Sequence, residues 1–134
     1  MSEENVEIIR QTLAAWNEGD DDAALRRSAK DIVWQLKGVF PGFKPEYRGH
    51  EGVREFWKAF REPWATISVE PLEFTEIDAE RVLVEVRFRG MGKTSGVVTE
   101  VEFPFIWTIR NGKAVHFQSF ADRAEALEAA GLRE

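Results

Sequence analysis

Apolar and polar side chains alternate along the second half of the chain, and a period of two is typical of β-strands. Short connections rich in glycine, asparagine or aspartate separate the alternating segments. The strongest turn signal is Asn111-Gly112, since a type I′ turn requires positive φ at both central residues. The pattern predicts four sequential antiparallel strands over residues 66–77, 81–90, 97–110 and 113–121.

One face of these predicted strands is strongly apolar. Successive side chains of a strand point to opposite faces, so we expect this face to form the inner wall of the fold. Its residues are Val82, Val84, Val86, Phe88, Val101, Phe103, Phe105, Trp107, Ile109, Val115, Phe117 and Ser119. The opposite face carries charged and polar residues, among them Glu85, Glu100, Glu102, His116 and Gln118.

The first third of the chain has the period of helices. One apolar stripe predicts an amphipathic first helix, and its members are Val6, Ile9, Leu13 and Trp16. Gly19 is predicted to end this helix, and Asp20 or Asp21 to cap a second helix that extends to about Ala29.

Three further elements complete the pattern. Alternation predicts a short strand over residues 31–38, and the next loop contains Pro41, Gly42 and Pro45. Helical spacing returns within residues 47–60 and stops before Pro63, with apolar positions at Val53, Phe56, Trp57 and Phe60. A final short helix is predicted from an N-cap at Asp122, a capping-box Glu125 and a C-terminal Gly131.

Helices followed by a meander of long strands indicate an α+β domain in which helices cover one face of a curved antiparallel sheet. At 134 residues, the chain has the size of one domain, and we expect a single domain over 1–134. It contains no apolar run near the roughly 20 residues that span a bilayer, and the acidic, helix-like start is not a secretion signal. The sequence therefore predicts a cytoplasmic protein with no membrane partner.

Composition narrows the chemistry. The chain has no cysteine and only two histidines, so thiol nucleophiles, disulfides and histidine-rich metal sites are not expected. Its net charge is −6 and it has no block of lysine and arginine, which argues against a nucleic-acid partner. We expect neither a metal nor a cofactor.

Several short motifs occur in an order that resembles the nuclear transport factor 2-like superfamily, and within it the SnoaL-like group. They are Asn17-x-Gly19-Asp20, Tyr47-Arg48-Gly49-x-x-Gly52 with Phe56-Trp57, and Asn111-Gly112-Lys113. The resemblance covers essentially the whole chain. It implies a cone-shaped, cystatin-like fold in which a bent sheet wraps on helices, with a pocket at the wide end. It also implies a homodimer formed through the outer face of the sheet.

Members of this superfamily include isomerases, cyclases, epoxide hydrolases, dehydratases and proteins with no catalytic role, so the fold does not settle the function. The catalytic positions of the isomerases correspond to about Leu36, Thr12 and Phe105 here, and none of these side chains suits the role. Those of the epoxide hydrolases correspond to about Val86, Phe88 and Ser119, so that catalytic set is also absent. The base and histidine of the SnoaL-like cyclases have no clear counterpart.

Three residues remain as weak catalytic candidates, and each also has a structural explanation. Asp31 stands at the entry to the first predicted strand and suits a turn. His50 lies at a helix start, where it can cap the helix or face a pocket mouth. Asp122 is explained as a helix cap.

The inner wall is a better candidate for binding than for catalysis. An apolar pocket with few polar groups is usual for a small-molecule site, and Thr12 and Ser119 are the inner hydroxyls. We expect the ligand-binding residues to be Thr12, Trp34, Leu36, Val84, Val86, Phe88, Phe103, Phe105, Trp107, Phe117 and Ser119. The leading hypothesis is a binder of a polycyclic or terpenoid-like molecule. The alternatives are an isomerase, cyclase or dehydratase with an unidentified base, and a non-catalytic dimerisation domain.

Overall fold

The protein is described by a computed structural model that covers residues 2–36 and 40–132. The described elements are α1 (Ser2–Asn17), α2 (Asp21–Leu25), β1 (Ser28–Gln35), β2 (Glu46–Arg48), α3 (Gly49–Arg61), β3 (Trp64–Glu76), β4 (Arg81–Gly92), β5 (Val98–Arg110), β6 (Lys113–Ser119) and α4 (Arg123–Ala130). This order confirms the α+β class. Within the described residues, no helix has both the length and the apolar character needed to cross a membrane.

The strands form one curved sheet in the order β2-β1-β6-β5-β4-β3. The last four strands along the chain pair antiparallel with one another, as the hairpin signals predict. β1 pairs in parallel with β6, which makes the sheet mixed. This parallel pairing places Trp34 beside Phe117, so the two rings enter the interior together.

The region after α1 differs from the prediction. α2 begins as expected, because the Asp20 side chain accepts a hydrogen bond from the backbone N–H of Ala23 at 3.1 Å. It ends at Leu25, however, and residues expected in the helix begin β1 at Ser28. Ser28 lies opposite Ala114 of β6, so pairing within the sheet overrides the local helical tendency. The strand predicted over 31–38 ends at Gln35, and residues 37 and 38 lie outside the described residues.

β2 is a strand that the sequence does not predict. It is three residues long, too short to show a period of two, and it pairs Trp34 with Tyr47. The helix predicted within 47–60 therefore begins at Gly49, whose φ of +71° separates the strand from α3.

The inner face also needs two corrections. A bulge in the β5–β6 pairing sets Ile109 opposite Ala114 and Thr108 opposite His116. Ala114 thereby takes the buried position predicted for Val115, and Val115 joins His116 along a groove on the outer face of the sheet. Val101, also predicted to face inward, is 39% exposed near the start of β5.

The outer face is partly covered by α4. Leu83 and Ile106 pair across β4 and β5 on that face, and both are buried against helix residues such as Leu127. The helix boundaries are as predicted, since Asp122 accepts a hydrogen bond from the N–H of Glu125 at 2.9 Å and Gly131 has φ of +79°. The sheet thus has a large inner core with α1 and α3 and a small outer core with α4.

Candidate ligand-binding cavity

A cavity of about 60 Å³ lies between the inner face of the sheet and helices α1 and α3. Fifteen described residues line it and eleven of them are aromatic. The aromatic residues are Trp16, Trp34, Phe40, Phe56, Trp57, Phe60, Phe88, Phe103, Phe105, Trp107 and Phe117; the others are Thr12, Leu13, Val69 and Val86. The wall therefore consists almost wholly of apolar side chains.

Trp34 packs against aromatic rings of both the sheet and α3. Its ring stacks on Phe117 with centroids 3.9 Å apart. It meets Trp57 and Trp107 edge to face, with centroids 5.5 and 5.9 Å apart. Edge-to-face and offset packing of this kind holds the rings in defined orientations. One residue of β1 thus joins the sheet wall to the α3 wall.

The cavity is small for a ring-shaped ligand. An apolar cavity of about 150 Å³ holds benzene, so wall side chains must move before this cavity admits an aromatic ring. Phe40 and Phe103 are the wall aromatics best placed to move, because both are only half-buried and their centroids are 5.2 Å apart. Phe40 also contacts Phe60, another half-buried ring, at 5.5 Å.

The structure brings together most of the residues expected to bind ligand. Eight of the eleven line the cavity: Thr12, Trp34, Val86, Phe88, Phe103, Phe105, Trp107 and Phe117. Leu36, Val84 and Ser119 are buried next to the wall but do not line it. Contact of any of these side chains with a ligand stays a prediction.

Other wall residues were not expected at a binding site. Trp16, Phe56, Trp57 and Phe60 belong to the apolar faces of the predicted helices, and in the structure they both pack the helices and line the cavity. Their helical spacing marks an inward face but does not distinguish a filled core from a cavity wall. Phe40 lies in a loop without periodicity, so no sequence signal identified it.

Both inner hydroxyls are already hydrogen-bonded to backbone carbonyls. Thr12 Oγ1 donates to the carbonyl of Ile8 at 2.8 Å, one turn earlier in α1. Ser119 Oγ donates to the carbonyl of Leu36 at 3.1 Å, and both residues are buried. Both hydroxyl groups are therefore already engaged in hydrogen bonds within the fold.

Three indole groups in the wall are different. Trp16, Trp34 and Trp107 are 6, 8 and 2% exposed, and the buried Nε1 of each has no hydrogen-bond partner among the described residues. Indole nitrogen can only donate. These three indole nitrogens are therefore buried donors without an acceptor among the described residues.

The weak catalytic candidates lie elsewhere. Asp31 is exposed inside β1 rather than in a turn, and it borders the groove on the outer face. His50 Nε2 lies 3.0 Å from the carbonyl oxygen of Ser28, and Asp122 caps α4. Among residues 2–36 and 40–132, no carboxylate or imidazole lines the cavity.

The shifted acids lie at the connection between β3 and β4. The pKa of Asp78 is below its usual value, mainly because the backbone N–H of Glu80 donates to it at 3.0 Å, and Arg81 adds a second hydrogen bond. Two hydrogen bonds from Arg110, at 3.0 and 3.1 Å, lower the pKa of Glu80. The same contacts raise the pKa of Arg110. All of these groups border the outer groove and not the cavity.

Solved structures of other proteins share this architecture. TerC, crystallised with polyporic acid, is 24% identical; the match covers 96% of this chain and 98% of TerC, with a TM-score of 0.77. An NTF2-like protein of unknown function from Burkholderia pseudomallei is 28% identical over 93% of this chain and 95% of its own, with a TM-score of 0.78. A Catenulispora acidiphila protein with a ketosteroid isomerase-like fold, solved with trimethylamine, is 16% identical over 95% and 94%, with a TM-score of 0.74.

A curved sheet closed by helices over an aromatic interior places the protein in the nuclear transport factor 2-like superfamily. Within it, the chain belongs to the SnoaL-like domain family, whose model matches residues 9–117. The resemblance drawn from the motifs is thereby confirmed. No curated protein matches the chain.

Proposed function

We propose that this protein binds an apolar, ring-containing small molecule, of polycyclic or terpenoid-like type, in the cavity between the sheet and helices α1 and α3. The observation that carries the proposal is the cavity wall, in which eleven of fifteen residues are aromatic. Pockets with a mostly apolar, aromatic lining are the usual sites for small hydrophobic ligands. The cytoplasm remains the proposed compartment.

One neighbouring structure supports the binding of a small molecule. TerC has nearly the same chain length in the alignment and was crystallised with polyporic acid. Because the cavity is only about 60 Å³, a ligand as large as polyporic acid would have to displace the half-buried rings of Phe40 and Phe103. Binding should therefore be accompanied by side-chain rearrangement in the wall.

Thermal denaturation in the presence of a panel of hydrophobic ring compounds, with polyporic acid among them, tests the proposal. A ligand that binds only the folded state raises its melting temperature. Val69→Phe fills the cavity from its half-buried side on β3, and it should abolish the shift. Val97→Phe, at a position that is 60% exposed, is the matched control and should retain it. The proposal is wrong if no compound shifts the wild type, or if Val69→Phe retains the full effect.

The enzymatic alternative has less support. An isomerase, cyclase or dehydratase needs an acid or base that reaches the bound substrate. Asp31, His50 and Asp122 are each engaged or exposed away from the cavity wall. A substrate turned over by the wild type and not by one of the three alanine variants would favour this alternative.

We also propose that the protein forms a homodimer through the outer face of the sheet. Helix α4 covers part of that face, and Arg123 of the helix forms ion pairs with Glu73 and Glu85. The proposed interface is the part of the face formed by β1, β6 and the adjoining end of β5. There, Gln35 Oε1 lies 2.9 Å from His116 Nε2 and accepts a hydrogen bond from Gln118 Nε2 at 3.2 Å. Glu102, farther along the face, is expected at the rim.

Sedimentation at micromolar concentration tests the dimer. A monomer would contradict it and would also exclude the third alternative, a non-catalytic dimerisation domain. A dimer that responds to no compound in the thermal panel would favour that third alternative over ligand binding.

A further inference from the structure

Four cationic side chains line a surface recess beside the second half of α3. The recess has a volume of about 420 Å³, and its described lining residues are Arg54, Lys58, Arg61, Lys93, Asp21 and Glu62. The three cations of α3 are spaced by four and three residues, so they lie on one face of the helix. The fourth, Lys93, follows β4. The chain as a whole has a net charge of −6, so this group of cations is opposite in sign to the protein.

Arg61 is held in place by contacts on two sides. Its Nη1 donates to Asp21 at 2.8 Å, and its Nη2 donates to the carbonyl of Trp16 at 2.9 Å. Its guanidinium also lies 4.4 Å from the centroid of the Trp16 ring, and only 22% of its side chain is exposed. A guanidinium has five N–H donors, and these two hydrogen bonds use two of them. Arg61 therefore supplies further donors from a fixed position.

The other three cations have weaker contacts or none. Arg54 pairs with Asp22, which does not line the recess. Lys93 Nζ lies 3.9 Å from Glu62, beyond hydrogen-bond distance, and the Glu62 side chain is 79% exposed. Lys58 has no hydrogen bond or ion pair with any of residues 2–36 and 40–132. Because exposed ion pairs contribute little to stability, an incoming anion can replace these contacts.

We infer that this recess binds the phosphate or diphosphate group of a small molecule, with Lys58, Lys93 and Arg61 as its donors. Like charges three and four residues apart on a helix repel one another, and a bound anion removes that repulsion. A phosphate group has more charge and more acceptor oxygens than a carboxylate, so it can engage several cations at once. Arginine and lysine are the usual partners of phosphate oxygens.

The surroundings of the recess favour a compact anion over an extended one. Asp21 and Glu62 line the same recess as the cations, and the protein is negatively charged overall. A nucleic-acid backbone needs cations along its whole length, and an anionic membrane surface needs a broad basic patch. Either would meet carboxylates beyond these four cations. A single phosphate or diphosphate group needs only the cations of the recess.

Calorimetric titration with inorganic pyrophosphate, at an ionic strength held constant with sodium chloride, tests the inference. Lys58→Gln and Lys93→Gln should each weaken binding about tenfold, the effect of one lost hydrogen bond to a charged group. Lys30→Gln is the matched control, because it removes the same charge from an exposed position on β1 outside the recess. It should change the affinity by less than about twofold, since salt screens distant charges.

Amide resonances of ¹⁵N-labelled protein locate the binding site. Those of Lys58, Arg61 and Lys93 should shift with pyrophosphate and not with sodium chloride of equal ionic strength. The inference is wrong if pyrophosphate does not bind, if Lys30→Gln weakens binding as much as Lys58→Gln, or if sodium chloride produces the same shifts. The recess is separate from the cavity between the sheet and the helices, so these outcomes leave the proposed binding function unchanged.

Discussion

The side-chain amide of Asn17 pairs with both backbone polar groups of Val69. Asn17 Nδ2 donates to the Val69 carbonyl at 2.8 Å, and the Val69 N–H donates to Asn17 Oδ1 at 2.8 Å. Asn17 ends α1, and Val69 lies on β3, which is the edge of the sheet. The amide therefore takes the place of a neighbouring strand and fixes the helix that lines the cavity. This contact gives Asn17, the first residue of the Asn17-x-Gly19-Asp20 motif, a structural role.

Replacement of Asn17 should loosen this link. Asn17→Ala removes both hydrogen bonds, and we expect the free energy of unfolding to fall by about 1–2 kcal/mol. Asn17→Asp retains an acceptor for the Val69 N–H but places a carboxylate near the Val69 carbonyl, so it should also destabilise. Urea unfolding measures both changes. Gln11→Ala is the control, because it removes only an exposed contact to Glu7 on the same helix. If the Asn17→Ala and Gln11→Ala variants have the same free energy of unfolding, the interpretation is contradicted.

Gly90 allows Trp64 to pack against β4. A Cβ at position 90 would lie 2.7 Å from Cε3 of the Trp64 ring, which is too close for either group to stay in place. We expect Gly90→Ala to reduce stability by about 1–3 kcal/mol, as overpacking commonly does. Gly52→Ala is the matched control, since its Cβ would meet Tyr47 at an ordinary 3.4 Å and alanine favours the helix. In thermal unfolding, the melting temperature of Gly90→Ala should lie clearly below that of Gly52→Ala. Equal melting temperatures would count against the steric argument.

Ser119 should matter more to stability than Thr12. Ser119→Ala leaves the buried carbonyl of Leu36 without the hydroxyl donor that now lies 3.1 Å away, and such a loss costs about 1–3 kcal/mol. Thr12→Val removes a hydroxyl that bonds only within its own helix, so the change should be below about 1 kcal/mol. Chemical denaturation of both variants would test this ranking, which the reverse order of stabilities would refute.

Stability should decline in acid partly through Asp78. The folded state lowers the pKa of this carboxyl below its usual 3.8, so folding favours the charged form. The contribution is complete well above pH 3.8 and is lost as the pH falls through the lower, folded-state value. Asp78→Asn should therefore be less stable than the wild type at neutral pH, by under about 1 kcal/mol because the pair is exposed to solvent. Unfolding curves at neutral pH and near pH 2 should show this difference shrinking; a constant difference would mean that charge is not involved.

The sequence predicted the inner wall well where strands are long. Val82, Val84 and Val86 alternate without interruption along β4, and all three are fully buried. It failed where pairing partners change the register, as at the bulge that exchanges Ala114 for Val115. It failed again at Ser28, whose place in a strand depends on β6, more than 80 residues away in the chain. Local periodicity cannot report either effect.

The candidate site was likewise predicted only in part from the sequence. The aromatic residues on the inner face of β4, β5 and β6 were identified by their alternation, and those of α3 by helical spacing. The sequence could not show that Phe40 packs against Phe103, or that three indole nitrogens have no acceptor among residues 2–36 and 40–132. Those properties arise from side chains that are distant along the chain and meet only in the folded state.

The sequence by itself determined the class of fold and the apolar face of the sheet. These follow from periodicity and residue type, which act over a few neighbouring residues. The family resemblance, in turn, implies that the catalytic sets of the isomerases and epoxide hydrolases are not present at the matching positions. Only the tertiary structure decided that α4 covers part of the outer face, that the Ser119 and Thr12 hydroxyls are already hydrogen-bonded, and that a cavity of about 60 Å³ remains among the rings. Packing and hydrogen-bond satisfaction are set by contacts between distant segments, so they become defined only when the chain has folded.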